Sequence, residues 1–261
     1  MSTPQVTGLG GTGPAARGAP PPRKLSSGHG ASWWSEAWSI FTAAPGTWIG
    51  IIIVLVIILF VLAIIPFVGS IAQKLLIPVF AGGIMLGCAA LARGEPLRLG
   101  HLFEGFQGGR AGNLIVLGLL MLAAGIIFAI VIFAVLAATI GVGAVGAIMS
   151  NADPTRLNIS LGSLGVGAFL VFAIALIGGV LIGMAYWFAP ALIVLNGEDA
   201  VGAVRKSFAA SWINLGAFLI YGLIYIGLAI VATIPVGLGW LVLGPMIGGS
   251  CYAGWREIFA E

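Results

Sequence analysis

Charge is scarce in this sequence: Asp, Glu, Lys and Arg make up 7% of its 261 residues, where a soluble domain carries about 25%. So few charges cannot cover a water-facing surface, and lipid is the solvent expected for most of the chain. Alternation of apolar and polar residues is missing as well. Runs such as "IGIIIVLVIILFVLAIIPF" exclude a transmembrane β-barrel, whose strands alternate. Cysteine is nearly absent, and Cys88 and Cys251 both lie inside apolar segments, where packing is the expected role rather than a disulfide. Residues 1–30 hold no apolar core of the kind a signal peptide needs.

Chemistry-bearing patterns are missing too. There is no P-loop, no G-x-S-x-G and no pair of carboxylates placed for acid–base work. His29 and His101 lack neighbours at metal-ligand spacing. Gly10, Gly11 and Gly13 sit in a Gly/Pro/Ser-rich tail and precede no helix, so they do not form a phosphate-cradling loop. No enzymatic activity, cofactor, metal or nucleic acid is expected. Asn158-Ile159-Ser160 matches a glycosylation acceptor, which has meaning only in a eukaryotic secretory pathway.

What the sequence does contain is apolar length. Six stretches approach or exceed the ~20 residues that cross a hydrocarbon core of about 30 Å: about 48–67, 72–92, 114–138, 165–188, 215–234 and 237–254. The expectation is an all-α membrane protein with a disordered tail over 1–31 and a six-span domain over 32–261. Arg17, Arg23, Lys24, Arg93, Arg98, Arg110, Arg205, Lys206 and Arg256 fall on one side of that plan, leaving Lys74 and Arg156 on the other. The positive-inside rule then puts both termini in the cytoplasm. The expected location is a bacterial cytoplasmic (inner) membrane.

Short amphipathic stretches precede the odd-numbered spans: Trp33–Phe41, Leu99–Phe106 and Ala200–Phe208. They read as interfacial helices lying along the membrane. Trp48, Trp187, Trp212, Trp240 and Trp255 read as interfacial anchors.

Glycine is abundant, with 41 residues, and its placement is ordered. The second, fourth and sixth spans contain "AGGIMLGCAAL", "IGGVLIGMAYW" and "IGGSCYAGWRE". Each doublet (Gly82-Gly83, Gly178-Gly179, Gly248-Gly249) is followed four residues later by a small residue: Gly87, Gly183 or Ala253. Gly50 and Gly216 each precede their doublet by 32 residues. The recurrence predicts three tandem helical hairpins, with a long insertion over 141–163 in the middle one. In lipid, rows of small residues let helix backbones approach closely. Gly82, Gly83, Gly87, Gly178, Gly179, Gly183, Gly248 and Gly249 are therefore the expected packing residues. Pro78, Pro190 and Pro245 leave open a different use, broken helices around a binding site.

Polar candidates are few. Lys74 sits near the outer start of the second span, where its stem can snorkel to the interface. Tyr221 and Tyr225 lie one turn apart on the fifth span. Pro190 should end or kink the fourth span, Asn196-Gly197 reads as a turn, and Glu198 and Asp199 suit the start of a short helix. Ser207 and Asn214 face the next span.

The order "APAL", an acidic turn, "S-F-x-A" and an Asn resembles a family of uncharacterised proteobacterial six-span inner-membrane proteins. "AWSIFTAAPGTWIGI" and "PVFAGGIMLGCAALARGEPLRLGHLFEGF" are similar to its entry and second-span blocks. The resemblance implies a bacterial cytoplasmic membrane and assigns no activity, ligand or catalytic residue. The expected role is an accessory, scaffold or assembly component touching the bilayer and either a membrane-protein partner or a second copy. The alternative is a transporter or channel for a small or lipid-like solute. A third reading is lipid handling by the amphipathic stretches.

Overall fold

In lipid an apolar backbone must satisfy its own hydrogen bonds, and a helix does so within one segment. The computed structural model, which describes residues 18–141 and 161–260, is helical throughout its apolar runs, with no strand among the described residues. Its long helices are α2 (Pro45–Ala63), α3 (Val68–Ala92), α4 (Ala111–Ile140), α5 (Leu161–Tyr186) and α8 (Leu215–Thr233). Five segments of the described chain, one on each of these helices, are long and apolar enough to cross a membrane. Shorter helices are α1 (His29–Ala43), α6 (Ala189–Asn196), α7 (Ala200–Ile213) and α9 (Trp240–Trp255). A 3-10 helix covers Leu99–Phe106, and a π-helical turn, Arg256–Ala260, prolongs α9. The sixth expected span is thus a 16-residue helix, about 24 Å at 1.5 Å per residue.

Local chemistry explains the boundaries. Pro190 occupies the first turn of α6, where a missing N–H costs nothing, and α5 ends just before it. Gly197 closes α6 in the left-handed conformation, at φ +70°. Asp199 caps α7, its side chain accepting from the Gly202 amide at 2.9 Å. Pro78 and Pro245 lie inside α3 and α9. Pro78 leaves the Lys74 carbonyl without its helical donor, and Gly118 of α4 lies directly against that carbonyl.

Packing is uneven along the bundle. At the end where Arg23, Arg110, Lys206 and Arg256 gather, Trp33, Trp48, Leu102, Leu114, Leu117, Phe188 and Leu192 are fully buried. We call it the basic end. Towards the far end the same helices expose Phe60, Ile127, Phe169, Ile230 and Val231, the surface left for lipid. Two apolar turns cap that end, and in each the residue after proline takes positive φ: Phe67 at 58° and Val236 at 54°.

Several expectations are corrected. Residues 18–31 are not a disordered tail. They form a strap across the basic end that runs into α1, and only residues 1–17 of the expected tail lie outside the described residues. The strap is held because its backbone meets fixed partners. Asn214 accepts from the Leu25 amide at 2.7 Å and donates to the Arg23 carbonyl at 2.9 Å, while the Arg23 amide bonds Ile258 O at 3.2 Å. Nor is α1 an interfacial helix. Trp33, Trp34, Ala37 and Phe41 are buried, and α1 packs against α8 and α9. The 3-10 helix packs on α3, and α7 on α5. Trp48 and Trp255 are interior residues, bonded to Ile40 O at 3.0 Å and Asn196 Oδ1 at 2.8 Å. Trp212 and Trp240 remain exposed as anchors should. The expected insertion falls mostly, and Arg156 and Asn158 wholly, outside the described residues.

Candidate functional site

The glycine doublets place the backbone contacts, so they define where this chain is closed and where it is open. On α3, a Cβ on Gly83 would come within 2.4 Å of Leu102 O and 2.5 Å of His101 O, both on the 3-10 helix. Gly82 faces Val194 and Leu114, and Gly87 faces Leu97. On α9, Gly249 lies against the Ala37 backbone of α1, and Gly248 against Ile84 of α3. Both doublets are sealed within the chain.

The middle doublet differs. Gly178 meets the Phe128 ring of α4, but nothing lies within 4 Å of a Cβ on Gly179 or on Gly183. The expectation that these two pack within the chain is therefore corrected. The physical reason lies in the surrounding helices. α3 packs on α4, and α9 packs on α2, whereas α5 makes no comparable contact with α8. Leucine at Gly179 is accordingly expected to leave the apparent melting temperature within about 2 °C of wild type, since surface changes are usually within about 0.5 kcal/mol, as a thermal scan in detergent would measure.

Two apolar clefts flank α5. One, of about 290 Å³, separates α5 from α8 and is lined by Val180, Gly183, Trp187, Phe218, Leu219 and Gly222 among others. The other, of about 350 Å³, lies between α3, α4 and α5 and is lined by Lys74, Pro78, Met121, Leu122, Gly179 and Tyr186 among others. Each is lined by a residue that carries a buried polar atom without a partner, Trp187 with its Nε1 in the first and Tyr186 with its Oη in the second. Leaving such a donor unpaired costs about 1–3 kcal/mol. Tyr186 is not among the polar candidates visible in the sequence. Its signal was the "AYW" that follows the middle doublet alone.

The polar candidates separate into structural residues and one outlier. Ser207 Oγ accepts from Phe188 N at 3.0 Å and donates to Met184 O at 2.7 Å, so it repairs the backbone break between α5 and α6. Asn214 anchors the strap, as described. Tyr221 bonds Ser250 at 3.0 Å, joining α8 to α9, and stacks on Trp34 at 4.7 Å. Tyr225 stacks on the same indole at 6.5 Å. Lys74 is the outlier, exposed and without a partner among the described residues. It lies six residues, about 9 Å, inside the far-end start of α3. Gly118, against its carbonyl, lies only about 10 Å into α4, and about 33 Å of that helix continues past it.

The basic end is held by ion pairs and hydrogen bonds. Glu257 accepts from Trp33 Nε1 at 2.8 Å and lies 2.8 Å from His29 Nδ1, and Arg256 pairs with Glu36 at 2.8 Å. Lys206 bridges Glu198 and the Ala19 carbonyl. A hydrogen bond from Arg93 holds the Glu95 carboxyl below the usual carboxylate range. A polar recess of about 520 Å³ opens there between Gly108–Asn113 and Ile193–Glu198.

No group of three or more metal-binding side chains occurs among the described residues. Cys88 and Cys251 are free and buried. Both are expected to resist a maleimide in the folded protein and to react fully after denaturation, read by intact mass.

The chain is similar to a probable inner membrane protein of Burkholderia thailandensis, with 27% identity over 238 residues, covering 88% of this chain and 83% of the relative. No protein-family model matches the chain, and no solved structure does.

Proposed function

We propose that this chain is an integral, multi-pass inner-membrane protein that works as an accessory, scaffold or assembly component, without enzymatic activity, by offering one unfilled helix seam to another membrane helix. The relative's name and the apolar helices support the membrane setting. Counting α9 with its π-helical extension as a sixth crossing gives three tandem hairpins: α2–α3, α4–α5 and α8–α9. The basic end then faces the cytoplasm, in keeping with the positive-inside rule.

The observation that carries the role is the gap between α5 and α8. In a three-hairpin plan, the returning helix of each hairpin meets the first helix of the next. Two such seams, α3 on α4 and α9 on α2, are packed. The third would be α5 on α8, and it is a cleft edged by Gly183 and Gly222 and by the unpartnered Trp187 indole. Small residues that admit a backbone suit a partner helix. Leu219 and Val180, beside the cleft, are strongly exposed.

Co-purification after mild detergent extraction tests this reading. A defined membrane partner, or a second copy, should accompany the wild type and be lost from Gly222→Leu, a position with open space around it. Repeated isolation of the wild type alone contradicts the role. Orientation has its own test by cysteine labelling in intact cells. A cysteine beside Arg156 should label from outside and one beside Arg205 only after permeabilisation.

The transporter reading draws on the cleft that joins Pro78 to Gly179 and Gly183. Pro190 merely opens α6, and Pro245 is buried inside α9. That cleft is predominantly apolar, which favours an apolar occupant over a hydrated solute.

A further inference from the structure

We propose that the cleft between α3, α4 and α5 binds one long-chain carboxylate, its head group held by Lys74 and Tyr186 and its chain lying along Ile77, Pro78, Met121, Leu122 and Ile182. This site shares Gly183 with the α5–α8 gap but lies against α3 and α4 instead of α8, and it does not depend on the partner reading.

Three observations converge on it. Among the described residues, Lys74 is the one charged side chain within the candidate spanning helices, and it lines this cleft. An ionisable residue at membrane depth is costly and ordinarily faces a partner or a functional cavity. Lys74 has no carboxylate partner among the described residues. It lies about 9 Å inside the far-end start of α3 and, across Gly118, about 10 Å beyond the start of α4.

The second observation is Tyr186. The residue lines the same cleft, and its hydroxyl is buried behind the cleft wall without a partner, so a rotation of the ring would bring it to a ligand. A phenol donates one hydrogen bond and an ammonium donates three, and the ammonium accepts none. The group that satisfies both together is an acceptor carrying negative charge, and a carboxylate is the smallest such group a membrane supplies. Charge-assisted bonds of this kind are short and strong away from water.

The third is shape. The cleft is apolar apart from these two groups and holds about 350 Å³, at the low end of ligand pockets, which run from about 300 to 1,000 Å³. That suits one chain better than the two of a phospholipid. The floor is open because Gly179 and Gly183 have no side chains and nothing stands over them. The sealed doublets on α3 and α9 leave no equivalent space.

The test is binding of tritiated palmitate to the purified full chain in a non-ionic detergent, with methyl palmitate and phosphatidylglycerol as competitors. Saturable binding of one palmitate per chain is expected, with little competition from either competitor. Lys74→Gln should weaken it about tenfold or more, the usual scale for losing a hydrogen bond to a charged group, and Tyr186→Phe by a smaller factor. Gly179→Leu keeps the charge but fills the cleft, and should abolish binding while leaving the melting temperature unchanged. Unsaturable uptake, equal competition by the methyl ester or by phosphatidylglycerol, or unchanged affinity in Lys74→Gln would overturn the proposal. Because Gly222→Leu should leave palmitate binding intact, failure here is distinguishable from failure of the partner reading.

Discussion

Gly83→Leu is expected to prevent assembly of the basic end, with a fall of roughly 10 °C or more in apparent melting temperature and a matching loss of yield. The obstacle is backbone. A side chain at this position runs into the Leu102 and His101 carbonyls at 2.4 and 2.5 Å, well inside van der Waals contact. Flexible side chains cannot yield to make room, so the 3-10 helix must move off α3. Its reciprocal contact then goes too, because Gly105 of that helix sits against Val79 O. Overpacking ordinarily costs about 1–3 kcal/mol, and displacing a whole element lies at or beyond the top of that range. At about 2–4 °C per kcal/mol for a chain of this size, 3 kcal/mol gives the stated shift. Gly179→Leu is the matched control. The two glycines occupy the same position in their doublets, and only one has a neighbour.

Asn214→Ala is expected to release the N-terminal strap. One side chain makes three bonds: from the Leu25 amide, to the Arg23 carbonyl and to Ala210 O at 2.9 Å. Its 1% exposure means that no water stands ready to replace them. Each net hydrogen bond is worth about 1 kcal/mol, and buried groups left unpaired add to the loss. About 3 kcal/mol is roughly a 100-fold rise in strap opening, since every 1.4 kcal/mol is tenfold. Arg23 and Lys24 are trypsin sites inside the strap. Limited proteolysis followed by mass measurement should show slow cutting there in the wild type and fast cutting in the variant. Equal rates would mean that the strap is held by something else, such as the Lys206–Ala19 contact.

Much of the architecture was legible in the sequence because lipid simplifies the code. Apolar length gave the helices, Pro190 and Asn196-Gly197 gave the break after α5, and the doublets gave two of the three contact surfaces. What stayed hidden follows from a common cause. In a membrane the inside and outside of a helix are equally apolar, so hydropathy cannot tell a buried Trp33 from a lipid-facing Trp212. Tryptophan near a boundary therefore read as an anchor, and α1 read as interfacial when it is inserted between α8 and α9. The strap was hidden for a different reason. Residues 18–28 hold almost nothing to bury, and their order comes from backbone bonds to Asn214, Glu198 and Ile258, all more than 170 positions away.

The most direct measurement is site-specific photo-crosslinking in native membranes. A photoreactive residue at Leu219, on the open edge of the α5–α8 gap, should give one discrete adduct with a membrane protein, and Gly222→Leu should remove it. The same probe at Leu117, sealed between α4 and its neighbours, should give none. Labelling of lipid alone from Leu219, or the same adducts from both positions, would contradict the gap as a helix-binding seam.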